Sequence, residues 1–177
     1  MKNLLLLITV ALLCFSCKSP EARMPESVQS GSFLKESALR NKKLNEAERK
    51  HIKNIISSNP DIDYIASESG FWYYYNNQIE NDTIQPKFGD IVDFHYNISN
   101  IEGNEIYTTA NRTYVMDKEE LFTGLREGLK LMKPSESVTF IFPSQKAFGY
   151  YGDENKIGTN VPLICEVTLN TITQNND

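Results

Sequence analysis

The chain of 177 residues contains three cysteines, two histidines and one tryptophan. Two histidines do not make an ordinary zinc or acid–base constellation without further help. Eighteen basic residues stand against 23 acidic ones, for a net charge of -5. With no basic cluster, nucleic acid is excluded as a partner. The longest apolar run, Leu4–Phe15, is too short to span a bilayer stably. The chain has no G-x-x-x-x-G-K phosphate loop, no H-E-x-x-H helix and no nucleophile elbow. What the sequence does have is aromatic side chains, nine Phe and nine Tyr. All of them except Phe15, Phe33 and Tyr64 lie between Phe71 and Tyr151.

The N-terminus reads as a targeting segment. Lys2 supplies a positive start, and Leu4–Phe15 has the length of a secretory signal core. Ser16-Cys17 then places a small residue before a cysteine and resembles a bacterial lipoprotein cleavage site. The expectation is a signal peptide over residues 1–16 and lipidation of Cys17, with the membrane as a partner through that anchor. At ~0.8 kcal/mol per buried CH2, more than one acyl chain anchors stably. The resulting location is the cell envelope, facing the periplasm or associated with the outer membrane. Cys14 and Cys17 have C-x-x-C spacing, but inside a signal segment that spacing does not indicate redox or zinc chemistry. Cys165 then reads as a small buried hydrophobe without a disulfide partner.

Residues 17–43 are polar and include Pro20, Pro25 and Gly31, as expected of a tether. An accessory segment, 44–85, follows. Asn45 and Glu48 have capping-box spacing for a helix whose apolar strip is Ile52, Ile55 and Ile56, stopped by Asn59-Pro60. His51, between Lys50 and Lys53, belongs to a solvated face. Tyr64–Tyr75 alternates around Gly70 and predicts a strand. Residues 86–173 form the main domain. Val92, Phe94, Tyr96 and Ile98 share one strand face. A turn at Glu102-Gly103-Asn104 leads into a strand over 105–108, with another over 113–116. Ser137–Phe142 and Val161–Ile172 alternate again. The intervening helix is expected to be capped by Asp117 with Glu120. Leu121, Phe122, Leu125, Leu129 and Met132 lie along one side, and Pro134 ends it. Gly124 and Gly128 share a face and suggest close approach to the sheet. The loop 143–160 carries Phe148, Tyr150 and Tyr151 and reads as a pocket flap. The fold class is α+β, a twisted antiparallel sheet of five or six strands wrapped around one short helix.

The motifs G-D-I-V-D-F-H-Y, E-I-Y-T-T, E-L-F-T-G-L-R-E-G-L-K-L-M, F-P-S-Q-K-A-F-G-Y and V-P-L-I-C-E-V-T-L follow one another from Gly89 to Leu169. In this order and spacing the chain resembles the FKBP-type peptidyl-prolyl cis/trans isomerases. The resemblance implies isomerisation of X-Pro bonds in proline-containing peptide or protein segments, without cofactor or metal. It places the site at Tyr96, Tyr107, Leu121, Phe122, Leu125, Phe148, Ile157 and Cys165. Leu121 corresponds to the position whose backbone N–H receives a ligand carbonyl, and Leu125 to the floor. Four positions depart from the family pattern. Tyr107-Thr108 stands where the family has Phe-Asp, Phe148 where it has Tyr, and Arg112 and Cys165 where it has aromatics. These losses keep a second reading open, a non-catalytic chaperone or assembly factor holding a proline-containing segment. The front half, with its lipoprotein signal, short helix and S-E-S-G-F-W-Y-Y-Y, is similar to FKBP-type lipoproteins of Bacteroidetes. Among these it most resembles the group associated with gliding motility and secretion. The N-x-[ST] triplets at Asn81, Asn97 and Asn111 carry no weight beside a bacterial-type signal.

Overall fold

A computed structural model describes residues 30–80 and 84–175. The signal segment, Cys17 and Asn81 lie outside the described residues. The chain divides into two units, Met1–Ser37 and Ala38–Asp177. Of the first, the described part, 30–37, is the beginning of helix α1, Ser30–Ser58. Among the described residues no helix is long and apolar enough to cross a membrane.

Helix α1 begins well before the expected cap at Asn45 and takes up the end of the stretch read as a tether. Beyond Gly31 that stretch has no Gly or Pro and is rich in Ala, Leu, Lys, Glu and Arg, all good helix formers. It has no apolar stripe before Leu44, so periodicity alone did not reveal the helix. Its end falls as expected. The Asn59 side chain donates to the Ile55 carbonyl at 2.9 Å, and Pro60 cannot continue the ladder.

The sheet has six strands. They are β1 Ile65–Ala66, β2 Trp72–Asn77, β3 Ile91–Asn100, β4 Glu105–Val115, β5 Ser137–Phe142 and β6 Leu163–Thr173. Their order across the sheet is β1-β2-β5-β6-β3-β4, and every neighbouring pair is antiparallel. Two expectations change here. Tyr64–Tyr75 is a small hairpin rather than one strand, turning at Gly70, whose φ of 88° suits glycine. The pieces at 105–108 and 113–116 are a single strand, β4, because β3 pairs with it along its whole length.

One sheet face packs on helix α2, Thr123–Leu129. Val92, Phe94, Val138, Phe140, Phe142, Leu163, Val167 and Leu169 form a common core with Leu125, Leu129 and Met132. Gly124 and Gly128 do permit close approach. A Cβ on Gly124 would stand 2.5 Å from the Phe142 ring, and one on Gly128 2.9 Å from Phe140. The helix is shorter than expected. Asp117 takes a φ of 60°, which cannot lead into a helix, and Phe122, still extended, occupies the N-cap. Asp117 instead receives Arg126 and Lys130 from the side of α2, at 3.5 and 3.1 Å. Leu121 and Phe122 therefore precede α2 and are not on it.

The other face is covered by the part of α1 around Ile52. Ile52, fully buried, packs with Ile101 and Ile141 and with Trp72 and Ile164. Full burial of one such side chain stabilises by about 1.5–3 kcal/mol. This double cover explains why Val138–Phe142 of β5 is buried at every position and not at alternate ones. Buried carboxylates are satisfied by backbone donors. Glu136 accepts from Ile79 and Lys133 amides at 3.0 and 2.8 Å, and Asp90 from those of Lys87 and Asn175.

Tyr75 on β2 provides a test of this packing. Burial, and then the nearby Glu136 and Tyr73, push its phenol up to about 12. The folded state thus holds the proton more tightly than the unfolded chain, whose tyrosines titrate near ~10. The stabilising contribution is complete below about pH 10 and is lost as pH rises towards about 12. The melting temperature should fall over that window, and Tyr75→Phe should flatten the fall. An unchanged slope in Tyr75→Phe would contradict the assignment.

Candidate active site

A cavity of about 410 Å³ opens where β3 and β4 meet the long loop between β5 and β6. Tyr96 and Ile98 come from β3, Tyr107, Thr108 and Ala110 from β4, and Phe148, Asp153 and Lys156 from the loop. Its volume lies in the lower part of the range for small-ligand pockets. Local backbone geometry makes the hollow. Tyr96 pairs with Ala110 and Ile98 with Tyr107, so β4 carries an extra residue between these pairs. A second irregularity follows before Ser99 and Glu105. Such bulges bend a strand and increase its twist, which curves β4 away from a flat edge.

Tyr96, Tyr107 and Phe148 line the cavity together. Phe122 adjoins it, its ring centroid 5.1 Å from that of Phe148 and 5.4 Å from that of Phe142. Leu121 is half-buried in the same cluster, and its N–H meets no acceptor among the described residues. Leu125 and Cys165 are wholly buried and Ile157 nearly so. These three sit in the core and not on the cavity wall. Burial also raises the Cys165 thiol far above its usual range, so it is an inert packing group. Arg112 donates to the Glu120 carbonyl at 2.6 Å and lies over the Tyr114 ring. It braces the segment before α2 and does not supply an aromatic wall. The loop 143–160 has some structure of its own, a 3-10 turn at Ser144–Lys146 followed by tight turns.

The residue that sequence reasoning missed is Asp153. The Tyr107 hydroxyl donates to Asp153 Oδ2. The other oxygen, Oδ1, accepts from the amides of Ile157 at 2.7 Å and Asn155 at 3.0 Å. One carboxylate therefore ties the loop tip together and latches it to β4 across the cavity. Burial would raise the Asp153 carboxyl. The hydrogen bonds from Tyr107, Ile157 and Asn155 outweigh that effect and hold it below the usual carboxylate range. Tyr107 is raised by the same bond, with some help from burial. Lys156 closes the rim, its ammonium 4.9 Å from the Tyr107 ring centroid and 3.2 Å from the Ile106 carbonyl. The available clue was a tyrosine where the family pattern has phenylalanine. A hydroxyl added at a half-buried site needs a partner.

The arrangement is an apolar hollow with one polar edge. Such a hollow can desolvate an X-Pro amide, whose barrier of about 18–20 kcal/mol comes from resonance between carbonyl and nitrogen. The twisted amide is less polar at oxygen and suffers less from losing water. An apolar wall therefore binds it relatively better than the planar form.

The model of the FKBP-type peptidyl-prolyl cis-trans isomerase family matches residues 82–170, just over half of the chain. The chain belongs to that family, and its activity is peptidyl-prolyl cis/trans isomerisation. Two crystal structures are similar over most of their length. A peptidyl-prolyl cis-trans isomerase from Pseudomonas syringae pv. tomato aligns with a TM-score of 0.61 at 18% identity, over 75% of this chain and 96% of that one. FkpA from Escherichia coli aligns with a TM-score of 0.60 at 20% identity, over 98% of this chain and 82% of that one. At these identities the two structures bear on the fold alone.

Proposed function

We propose that this isomerase is a lipid-anchored protein of the cell envelope, acting on proline-containing segments of envelope proteins through the cavity between β3, β4 and the loop. The observation that carries the site is the convergence of Tyr96, Tyr107 and Phe148 on one hollow. Tyr96, Phe148 and Phe122 supply apolar contact for the prolyl ring. The Leu121 N–H, which meets no acceptor among the described residues, is the donor we assign to a substrate carbonyl. Leu125, Ile157 and Cys165 act from the core, by holding that wall in position. Lipidation at Cys17 follows from Leu4–Phe15 and Ser16. A role in gliding motility and adhesin secretion rests on the resemblance of the front half to the Bacteroidetes lipoproteins.

A second reading has a specific observation in its favour. Thr108 and Phe148 lack the carboxylate and hydroxyl of the family pattern, which suits a binding module that holds a proline-containing segment without rapid turnover. The two readings part in a proline-limited refolding assay.

The anchor has its own test. Cys17→Ala should leave the protein unprocessed or shift it from the membrane to the soluble fraction. Mature, membrane-bound protein from Cys17→Ala, together with its loss in Cys14→Ala, would move the lipidation site.

A further inference from the structure

We infer that Glu48, on helix α1 and outside the segment matched by the family, is a positioning residue for the isomerase site. Its carboxylate receives both donors of a single residue. Oε1 accepts the Ser144 amide at 2.5 Å and Oε2 the Ser144 hydroxyl at 2.7 Å. Ser144 is 1% exposed, so neither donor has water as an alternative. Removing the acceptor would leave both unsatisfied.

Ser144 in turn holds Phe148. Its carbonyl accepts from the amides of Ala147 at 3.0 Å and Gly149 at 2.8 Å, the two residues flanking Phe148. The Gly149 carbonyl then accepts from the Asn160 amide at 2.8 Å, closing the returning limb of the loop. Two steps of hydrogen bonding thus run from α1 to an aromatic wall of the cavity. The loop root is also restrained from α2, because a Cβ on Gly124 would stand only 2.7 Å from the Lys146 carbonyl. Asn45, one turn before Glu48, adds a bond from its Nδ2 to Gln145 Oε1 at 3.3 Å. The helix reaches this position because Ile52 and Ile56 dock it on the outer sheet face. Glu48 thus bonds across the fold to Ser144 and does not close a capping box with Asn45.

The inference rests on Phe148 being a wall of the active site, and the experiment separates the two. In the full-length chain, kcat/KM on a prolyl peptide and the melting temperature are measured for wild type, Glu48→Ala, Glu48→Gln, Ser144→Ala, Phe148→Ala and the double variant Glu48→Ala/Phe148→Ala. Glu48→Ala should lower kcat/KM by on the order of tenfold while the protein remains folded at the assay temperature. Glu48→Gln and Ser144→Ala, which each keep one bond, should fall between it and wild type. Should Glu48→Ala fail to fold, these two milder variants carry the test. A merely structural Glu48 would lower the melting temperature alone. If it acts through Phe148, adding Glu48→Ala to Phe148→Ala should cost no further activity, although the stability losses still add. Unchanged kcat/KM in all three Glu48 and Ser144 variants, or losses that multiply in the double variant, would overturn the inference alone. An inactive wild type, or a fully active Phe148→Ala, would overturn the site assignment and this inference with it.

Discussion

Leu125→Ala is expected to destabilise the protein by ~2–5 kcal/mol, the usual cost of truncating a fully buried leucine. Leu125 has no exposed surface and belongs to the main core with Phe140 and Phe142. The cavity it leaves cannot close easily. Helix α2 has only seven residues, too few to be stable alone, so burial of Leu125 and Leu129 largely holds it in place. Gly124 and Gly128 already bring its backbone against Phe142 and Phe140, and no further inward movement is open to it. Urea unfolding should show a lower midpoint at an unchanged slope. A loss under about 1 kcal/mol would mean that the helix does not pack as described. Activity should fall too, because Phe122 stands at the N-cap of the same helix and packs against Phe148.

The second large effect is expected at Asp153, and it separates function from stability. Asp153→Ala removes the acceptor of Tyr107 and of two loop amides together. Phe148 and Lys156 then stand on an unlatched loop, and a displacement of about 1 Å can cost on the order of a hundredfold in rate. We expect kcat/KM to drop between tenfold and a hundredfold with a small change in melting temperature. Tyr107→Phe should lose part of the same activity, and the double variant should be less than additive. The pH dependence has a definite sign. Asp153 is depressed in the folded protein, so the latch is intact through neutral pH. It is lost only as pH falls below the ordinary carboxylate range. Tyr107 is raised, so the latch also survives to pH values above the ordinary tyrosine range. Activity that declines already at neutral pH, or Asp153→Ala as active as wild type, would remove Asp153 from the site.

Much of this structure was legible in the residues. The alternation of Ser137–Phe142 gave strand β5 with its bounds, and the glycine pair at 124 and 128 gave the close helix–sheet contact. What escaped was carried by tertiary contacts. Full burial of β5 on both faces depends on α1 docking through Ile52, which no local pattern announces. The capping-box spacing of Asn45 and Glu48 pointed to a local role, whereas Glu48 bonds to Ser144 across the fold. Asp117 looked like a helix cap but turns with positive φ and pairs with Arg126 and Lys130 on the helix flank. Tyr96, Tyr107 and Phe148, which the family motif singles out, line one cavity. Asp153 lay hidden in a G-D-E-N stretch that reads as a turn, because its partner Tyr107 is 46 residues away.

The most direct test of the central claim is a proline-limited refolding reaction followed with wild type and Phe148→Ala at micromolar concentration. Uncatalysed isomerisation takes roughly 10–100 s at 25 °C, so catalysis is easily seen. Wild type should accelerate the slow phase in proportion to its concentration. Phe148→Ala should lose most of that acceleration while melting within a few degrees of wild type. A folded wild type with no acceleration, or Phe148→Ala with full acceleration, would contradict it.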